Sequence, residues 1–256
     1  MIPQPVYEPG SAAALQATVL VSSARFGASY FIDIYRKVFE DALVLNEIFR
    51  KDTDNLNVLS DLLGQPRDEV RKQANEDPVG FWSAVKAAVA DRGVPVIAKA
   101  YYYHKPTGNP LWGAVAREDH VIHLVRRNLF EAYLSRLIAQ KTGKWWRNLH
   151  DEAAPDDLLV EVDRKDVERY ISARRKEIVQ FRNLFTGANY HEIVFEDVIR
   201  SPLRCARAVT DMYDLPKGIV EVDKIRPSFQ RMKQRSNADV VSNYGEVADL
   251  DRLEVF

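Results

Sequence analysis

One cysteine, Cys205, stands in the 256-residue chain. That scarcity excludes an internal disulfide and a cysteine-based metal cluster, and Cys205 itself is expected to pack a helix. No apolar run approaches the roughly 20 residues of a membrane span, so no transmembrane segment is expected. The N-terminus, MIPQPVYEPG, lacks the basic and apolar parts of a signal peptide. Charge of one sign is missing as well: the net charge is -1, which leaves no global basic field asking for nucleic acid. A cytoplasmic enzyme or binding protein fits these absences. What remains, 46% hydrophobic and 29% charged residues, is the make-up of an ordinary soluble globular protein. There are no repeats and no low-complexity tract, and residues 1–256 read as a single domain with an irregular segment at 1–16.

Another absence is local. The stretch "TVLVSSARFGASYFIDIY" (18–35) runs from an apolar strand through a glycine turn into an amphipathic helix, yet has no lysine after the glycine. It is therefore not the G-x-x-x-x-G-K-[ST] loop of ATP- and GTP-binding proteins. A turn of this kind still aims backbone N–H groups and a helix dipole at one spot. Arg25 adds a forked cation, Gly27 permits close backbone approach, and Ser29 offers a hydroxyl.

Strands are predicted at Ala17–Val21, 93–103, 120–127 and 190–198, with pairing of the second starting after Pro95. Helices are predicted at Tyr30–Asn46, in polar pieces over 53–92, over 128–143 with Gly143 as a stop, at Val167–Phe185 and from Pro202. "HKPTGNPLWG" (104–113) reads as a loop, 151–157 as an acidic linker, and the tail from Ile225 as basic and then acidic. Short strands alternating with longer helices predict an α/β fold, a central mostly parallel sheet flanked by helices. Ligands gather at the carboxyl ends of such strands. Three of the four ends carry charge: Arg25, Arg126-Arg127 and Glu196-Asp197. Arg127 closes the third strand, and Ser135 lies eight positions on, about two helical turns, so both reach one phosphate at the helix start. Strand alternation sends Arg126 the other way.

Together, "ARFGASY" and "RNLFEAYLS" resemble the two donor motifs of the sulfotransferases, in particular bacterial carbohydrate sulfotransferases of the rhizobial nodulation-factor and mycobacterial trehalose kinds. "AQKTGKWW", "IVFEDVIRSP" and "FQRMKQRSNADVVSNYGEV" follow in the family's order, and the likeness spans roughly residues 17–250. It implies a P-loop-like sulfotransferase fold and PAPS (phosphoadenosine phosphosulfate) as donor, with no metal. The segment Arg25, Phe26, Gly27, Ala28, Ser29, Tyr30 would hold the phosphosulfate end. Arg127 and Ser135 would hold the ribose phosphate, with Lys233 and Arg235 of "RMKQR" folding over it and Arg231 a lesser candidate. Phe26 and Ala28 replace hydroxyl residues of the family loop, which removes two donors. The acceptor implied is a carbohydrate or glycolipid hydroxyl, and a homodimer is possible.

In-line sulfuryl transfer asks for a cation at the leaving oxygen, Arg25, and a base for the acceptor hydroxyl. Asp33 lies four after Ser29 among apolar neighbours, on the same helix face, and the mycobacterial relatives carry a glutamate there. Its plainer reading is a partner for Arg36 or Lys37. His104 is the second choice. Lys99 stands near the sulfonate or reaches solvent, and Trp145, Trp146 and Tyr101–Tyr103 offer a platform for a sugar ring. Two other classes stay open: a nucleotide kinase, and a non-catalytic protein that kept the fold.

Overall fold

The structure, a computed structural model, describes residues 17–53, 55–90, 94–145, 158–187, 189–213, 225, 227–228 and 235–253. The expectations for 1–16, the acidic stretch 151–157, Trp146, Arg231 and Lys233 lie outside the described residues. Five strands, β1 (Thr18–Ser22), β2 (Leu43–Asn46), β3 (Val96–Tyr101), β4 (His120–Val125) and β5 (Tyr190–Val194), form one sheet. Their order is β2-β3-β1-β4-β5, and every neighbouring pair is parallel.

A parallel sheet is covered on both faces, so its strands are apolar throughout. β1 shows this: all five residues of TVLVS are buried. Alternation then splits them, with Val19 and Val21 in one core cluster and Leu20 in the other. α1 (Ala28–Val38) and the later helix Pro202–Met212 cover the Leu20 face with Phe31, Ile34, Tyr35 and Cys205. The opposite face is covered through Trp82, Trp112, Phe130 and Phe181. Those side chains come from α4 (Pro78–Ala90), α5 (Pro110–Glu118), α6 (Leu129–Thr142) and α7 (Arg164–Leu184), after the small helices α2 (Leu56–Leu63) and α3 (Arg67–Glu76). Each such aromatic, fully buried, stabilises by about 1.5–3 kcal/mol. The chain continues through α8 (Phe195–Arg200), α9 (the Pro202–Met212 helix), α10 (Asn237–Val240) and α11 (Ala248–Asp251).

The structure corrects three predicted elements. The helix expected over Tyr30–Asn46 stops at Val38, where Phe39 turns extended (φ -123°, ψ 90°). Its last part is β2, because Glu40-Asp41 break the stripe and "LVLN" is a short apolar run that pairs with β3. The fourth expected strand, 190–198, ends at Val194, and Glu196-Asp197 lie instead in the first turn of α8. The expected loop 104–113 contains the start of α5: Asn109 caps it by accepting from the Leu111 N–H at 3.0 Å, with Pro110 in the first turn. α7 begins three residues before the expected Val167, at Arg164, where the Asp163 side chain caps it. Gly143 closes α6 in the left-handed region at φ 69°.

Candidate active site

β1 is the middle strand, so its carboxyl end opens between those of β3 and β4. The loop that follows, residues 23–27, is held from below and from the side. The Ser22 hydroxyl donates to the Leu124 carbonyl at 2.8 Å. The Phe26 N–H donates to the Ser23 carbonyl at 3.2 Å, and the Phe26 ring is fully buried, edge-on to Tyr102. Phe26 thus shapes the loop from beneath, with its ring in the core and its N–H on the Ser23 carbonyl. Ala28 is buried and contributes only backbone at the helix start, Ser29 is exposed there, and Tyr30 packs edge-on against Phe195.

Gly27 is obligatory in this turn. Its φ is 91°, a left-handed conformation, and a Cβ there would sit 2.1 Å from the Phe195 ring. Gly27→Ala is expected to cost roughly 2 kcal/mol through overpacking, read as a lower urea midpoint with an unchanged slope. An unchanged midpoint would mean that the α8 ring does not brace the loop.

Arg25, also left-handed at φ 71°, reaches across to α6. Its Nε and Nη2 donate to the Ser135 hydroxyl at 3.1 and 2.7 Å. Its Nη1 donates to the Trp145 carbonyl, and the guanidinium lies 6.0 Å from the exposed Trp145 ring. The two motifs read separately in the sequence are therefore in contact. Burial, with the nearby Arg126 charge adding to it, lowers the Arg25 pKa.

Arg126 belongs to this cluster as well. Its Nη1 donates to the Arg25 carbonyl at 2.9 Å, and its guanidinium lies 5.2 Å from the Phe195 ring. β4 ends at Val125, so strand alternation no longer governs Arg126. Arg127 is 3.6 Å from Asp197, and its N–H and that of Asn128 donate to the Glu196 carboxylate at 3.0 and 3.1 Å. Glu196 thereby sets the β4–α6 turn. A further cation, Arg174 of α7, donates to the Ser23 hydroxyl at 3.0 Å and pairs with Glu177 at 3.0 Å. Nothing in its sequence neighbourhood marks Arg174, since α7 is charged along its length.

A carboxylate also follows a strand end, Glu47 just after β2. Its backbone is left-handed (φ 51°), an uncommon conformation for a residue with a side chain. The Glu47 Oε1 is 3.2 Å from the buried Lys99 ammonium, and Oε2 is 3.7 Å from both His104 Nε2 and Arg50. Burial pushes the Glu47 pKa up, but His104 and Lys99 together pull it down to about 2. At 3.7 Å the histidine contact is longer than a hydrogen bond, so Lys99 carries more of this. Lys99 does not reach solvent, and its Nζ lies 5.3 Å from the Tyr101 ring.

The two expected bases sit differently. Asp33 pairs with Lys37 at 3.2 Å and accepts the Ser228 N–H at 2.5 Å, so its carboxylate ties α1 to the later chain. His104 is buried. Its Nδ1 accepts the Tyr101 N–H at 3.1 Å, which leaves the proton on Nε2, facing Glu47. Tyr103 stacks edge-on to His104 and is exposed. The Arg235 guanidinium donates to the Asp239 carbonyl. Among the described residues, no group of His, Cys, Asp and Glu is placed to hold a metal, and no helix is long and apolar enough to cross a membrane.

A parallel sheet in this order with a glycine-bearing turn after the central strand defines a P-loop-like α/β protein. No family model matches the chain. Over 119 residues it is 26% identical to Nodulation protein H of Rhizobium meliloti, covering 44% of this chain and 48% of that protein. The chain thus spans about half the length of this curated relative. The sulfotransferase domain from the curacin biosynthetic pathway superposes with a TM-score of 0.51 at 12% identity, covering 88% of this chain and 81% of that one. The sulfotransferase domain of a Synechococcus olefin synthase gives 0.49 at 11% identity, with 86% and 81% covered. The fold is that of a sulfotransferase domain, and the chain resembles bacterial sulfotransferases.

Proposed function

We propose that the chain transfers a sulfuryl group from PAPS to a hydroxyl of a carbohydrate or glycolipid acceptor. The observation that carries this reading is the Arg25–Ser135 contact, which joins the loop after β1 to the first turns of α6 around one cationic pocket. In this reading Arg25, Gly27, Ala28 and Ser29 hold the phosphosulfate end. Arg127 and Ser135, with Lys233 and Arg235, hold the ribose phosphate. The missing lysine after the glycine speaks against a kinase.

Sulfuryl transfer forms a bond from the acceptor oxygen to sulfur and breaks the bond from sulfur to the bridging phosphate oxygen. The electron pair leaves with that oxygen, where Arg25 compensates the developing charge. The acceptor proton must go to a base. We assign that base to Glu47, which follows a strand end beside the buried Lys99, and not to Asp33, whose carboxylate ties α1 to Ser228. Held at about 2, Glu47 is ionised at neutral pH. A sulfonate arriving beside Lys99 draws that cation away and makes the carboxylate more basic. His104 acts through Glu47 by fixing its orientation. The exposed Tyr103 and Trp145 offer aromatic faces for a sugar.

Calorimetric titration tests the donor reading. Phosphoadenosine phosphate is expected to bind without metal, and ATP with Mg²⁺ to bind far more weakly. Arg127→Ala should weaken phosphoadenosine phosphate about tenfold, the scale for one charged hydrogen-bond partner. Preference for ATP with Mg²⁺ would move the protein to the phosphate-loop kinases. Binding of the nucleotide without sulfuryl transfer to any of a panel of sugars and glycolipids would favour a non-catalytic role.

A further inference from the structure

Asp251, in α11, receives donors from three separate places. Asn237 of α10 donates its side-chain amide to both carboxylate oxygens at 2.8 Å. The Tyr244 hydroxyl donates to Oδ2, also at 2.8 Å. Asn128 donates its amide to Oδ1 and to the Asp251 carbonyl, both at 3.0 Å. Asn128 is at the same time the cap of α6, accepting the Glu131 N–H at 2.8 Å, and it is the neighbour of Arg127. Asn237 is buried and stands two residues after Arg235.

One carboxylate therefore links the residue beside Arg127 to the residue almost beside Arg235. Those two arginines lie 108 positions apart in the chain, so a site they share needs a tertiary link between their segments. We infer that Asp251 is a positioning residue: it clamps the start of α10, two residues after Arg235, against the β4–α6 turn, so that both arginines meet the phosphate on the donor's ribose. This rests on the donor reading given above. The Asp251 side chain does not itself touch the nucleotide.

The sign of the effect separates a clamp from simple electrostatics. Asp251→Asn removes a negative charge near an anion site, so a purely electrostatic role predicts tighter anion binding. A clamp predicts the reverse, because the new amide NH2 would face the Asn237 amide and the Tyr244 hydroxyl, the two donors that the carboxylate Oδ2 accepts. The probes are phosphoadenosine phosphate and 5′-AMP, which lacks only its 3′-phosphate. In the unchanged protein the first should bind much more tightly than the second. In Asp251→Asn that preference should fall about tenfold, with AMP affinity and the Arg25 end unaffected. Asn237→Ala should do the same while leaving the α6 cap in place, which guards against a misfolded Asp251 variant. Equal losses for both nucleotides, or a tighter complex with phosphoadenosine phosphate, would overturn the clamp alone. An unchanged protein with no preference between the two nucleotides would overturn the donor reading and the clamp with it.

Discussion

Under the proposed reaction, Glu47→Gln is expected to lower sulfuryl transfer by about 10²–10⁴-fold, the usual worth of a general base, and to leave the affinity for phosphoadenosine phosphate close to that of the unchanged protein. The expectation follows from where the carboxylate sits. It lies at the carboxyl end of β2, in a left-handed conformation, 3.2 Å from a buried lysine and facing a buried histidine. Glutamine keeps the size and the ability to accept from Lys99, but loses the charge and the capacity to take a proton. Single-turnover measurements with saturating donor isolate the transfer step from nucleotide release. Asp33→Asn, measured alongside, is expected to keep most of the rate and to lose stability instead, since it gives up the Lys37 pair. A large rate loss in Asp33→Asn with normal transfer in Glu47→Gln would return the base to α1. His104→Gln should lower the rate less than Glu47→Gln does, because the ring only orients the carboxylate.

The contrast between Asp33 and Glu47 also shows what the sequence could and could not reveal. The turn after β1 was readable because an apolar run, a basic residue and a glycine stand in one short window. The Arg127–Ser135 spacing was readable because helix geometry places residues eight apart on nearby faces. The four-residue β2 was not, because "LVLN" continues a helical stripe and gains its strand character only from pairing with β3. With β2 hidden, Glu47 had no strand end to mark it. Asp33 was drawn to the site by its spacing from Ser29; its pairing with Lys37, four residues on, was the plainer reading and holds, whereas its link to Ser228 was hidden. Arg174 was equally hidden, as its contact with Ser23 spans 151 positions inside a helix with many other charges. Phe26, read as a departure from a hydroxyl, is a core side chain that anchors the loop from beneath.

The protein is expected to lose roughly 3 kcal/mol of stability as the pH falls from about 6.5 to about 4, and His123 is the main cause. His123 is fully buried in β4, and burial pushes its pKa down to about 4. Its hydrogen bonds explain why the neutral ring is preferred. The Tyr190 hydroxyl donates to Glu192 at 3.0 Å, so its oxygen accepts from His123 Nδ1 at 2.6 Å. Nε2 then accepts from the Tyr102 hydroxyl at 2.6 Å. A second proton on the ring would force the Tyr102 hydroxyl to turn and accept, so that its own proton loses this buried acceptor. Because the folded pKa lies below the unfolded one, the unfolded chain binds more protons between the two values, and stability must fall as the pH drops through that window. His191, lowered by burial as well, adds in the same direction. The carboxylates Glu47 and Glu192 have lowered values, so their contributions are lost only further down in pH, as it falls from about 4.5. Urea titrations at several pH values between 7 and 4 should show the slope, and His123→Gln should flatten it while lowering stability at neutral pH. A slope unchanged in His123→Gln would assign the acid sensitivity to other groups and leave the Tyr102–His123–Tyr190–Glu192 chain without a part in it.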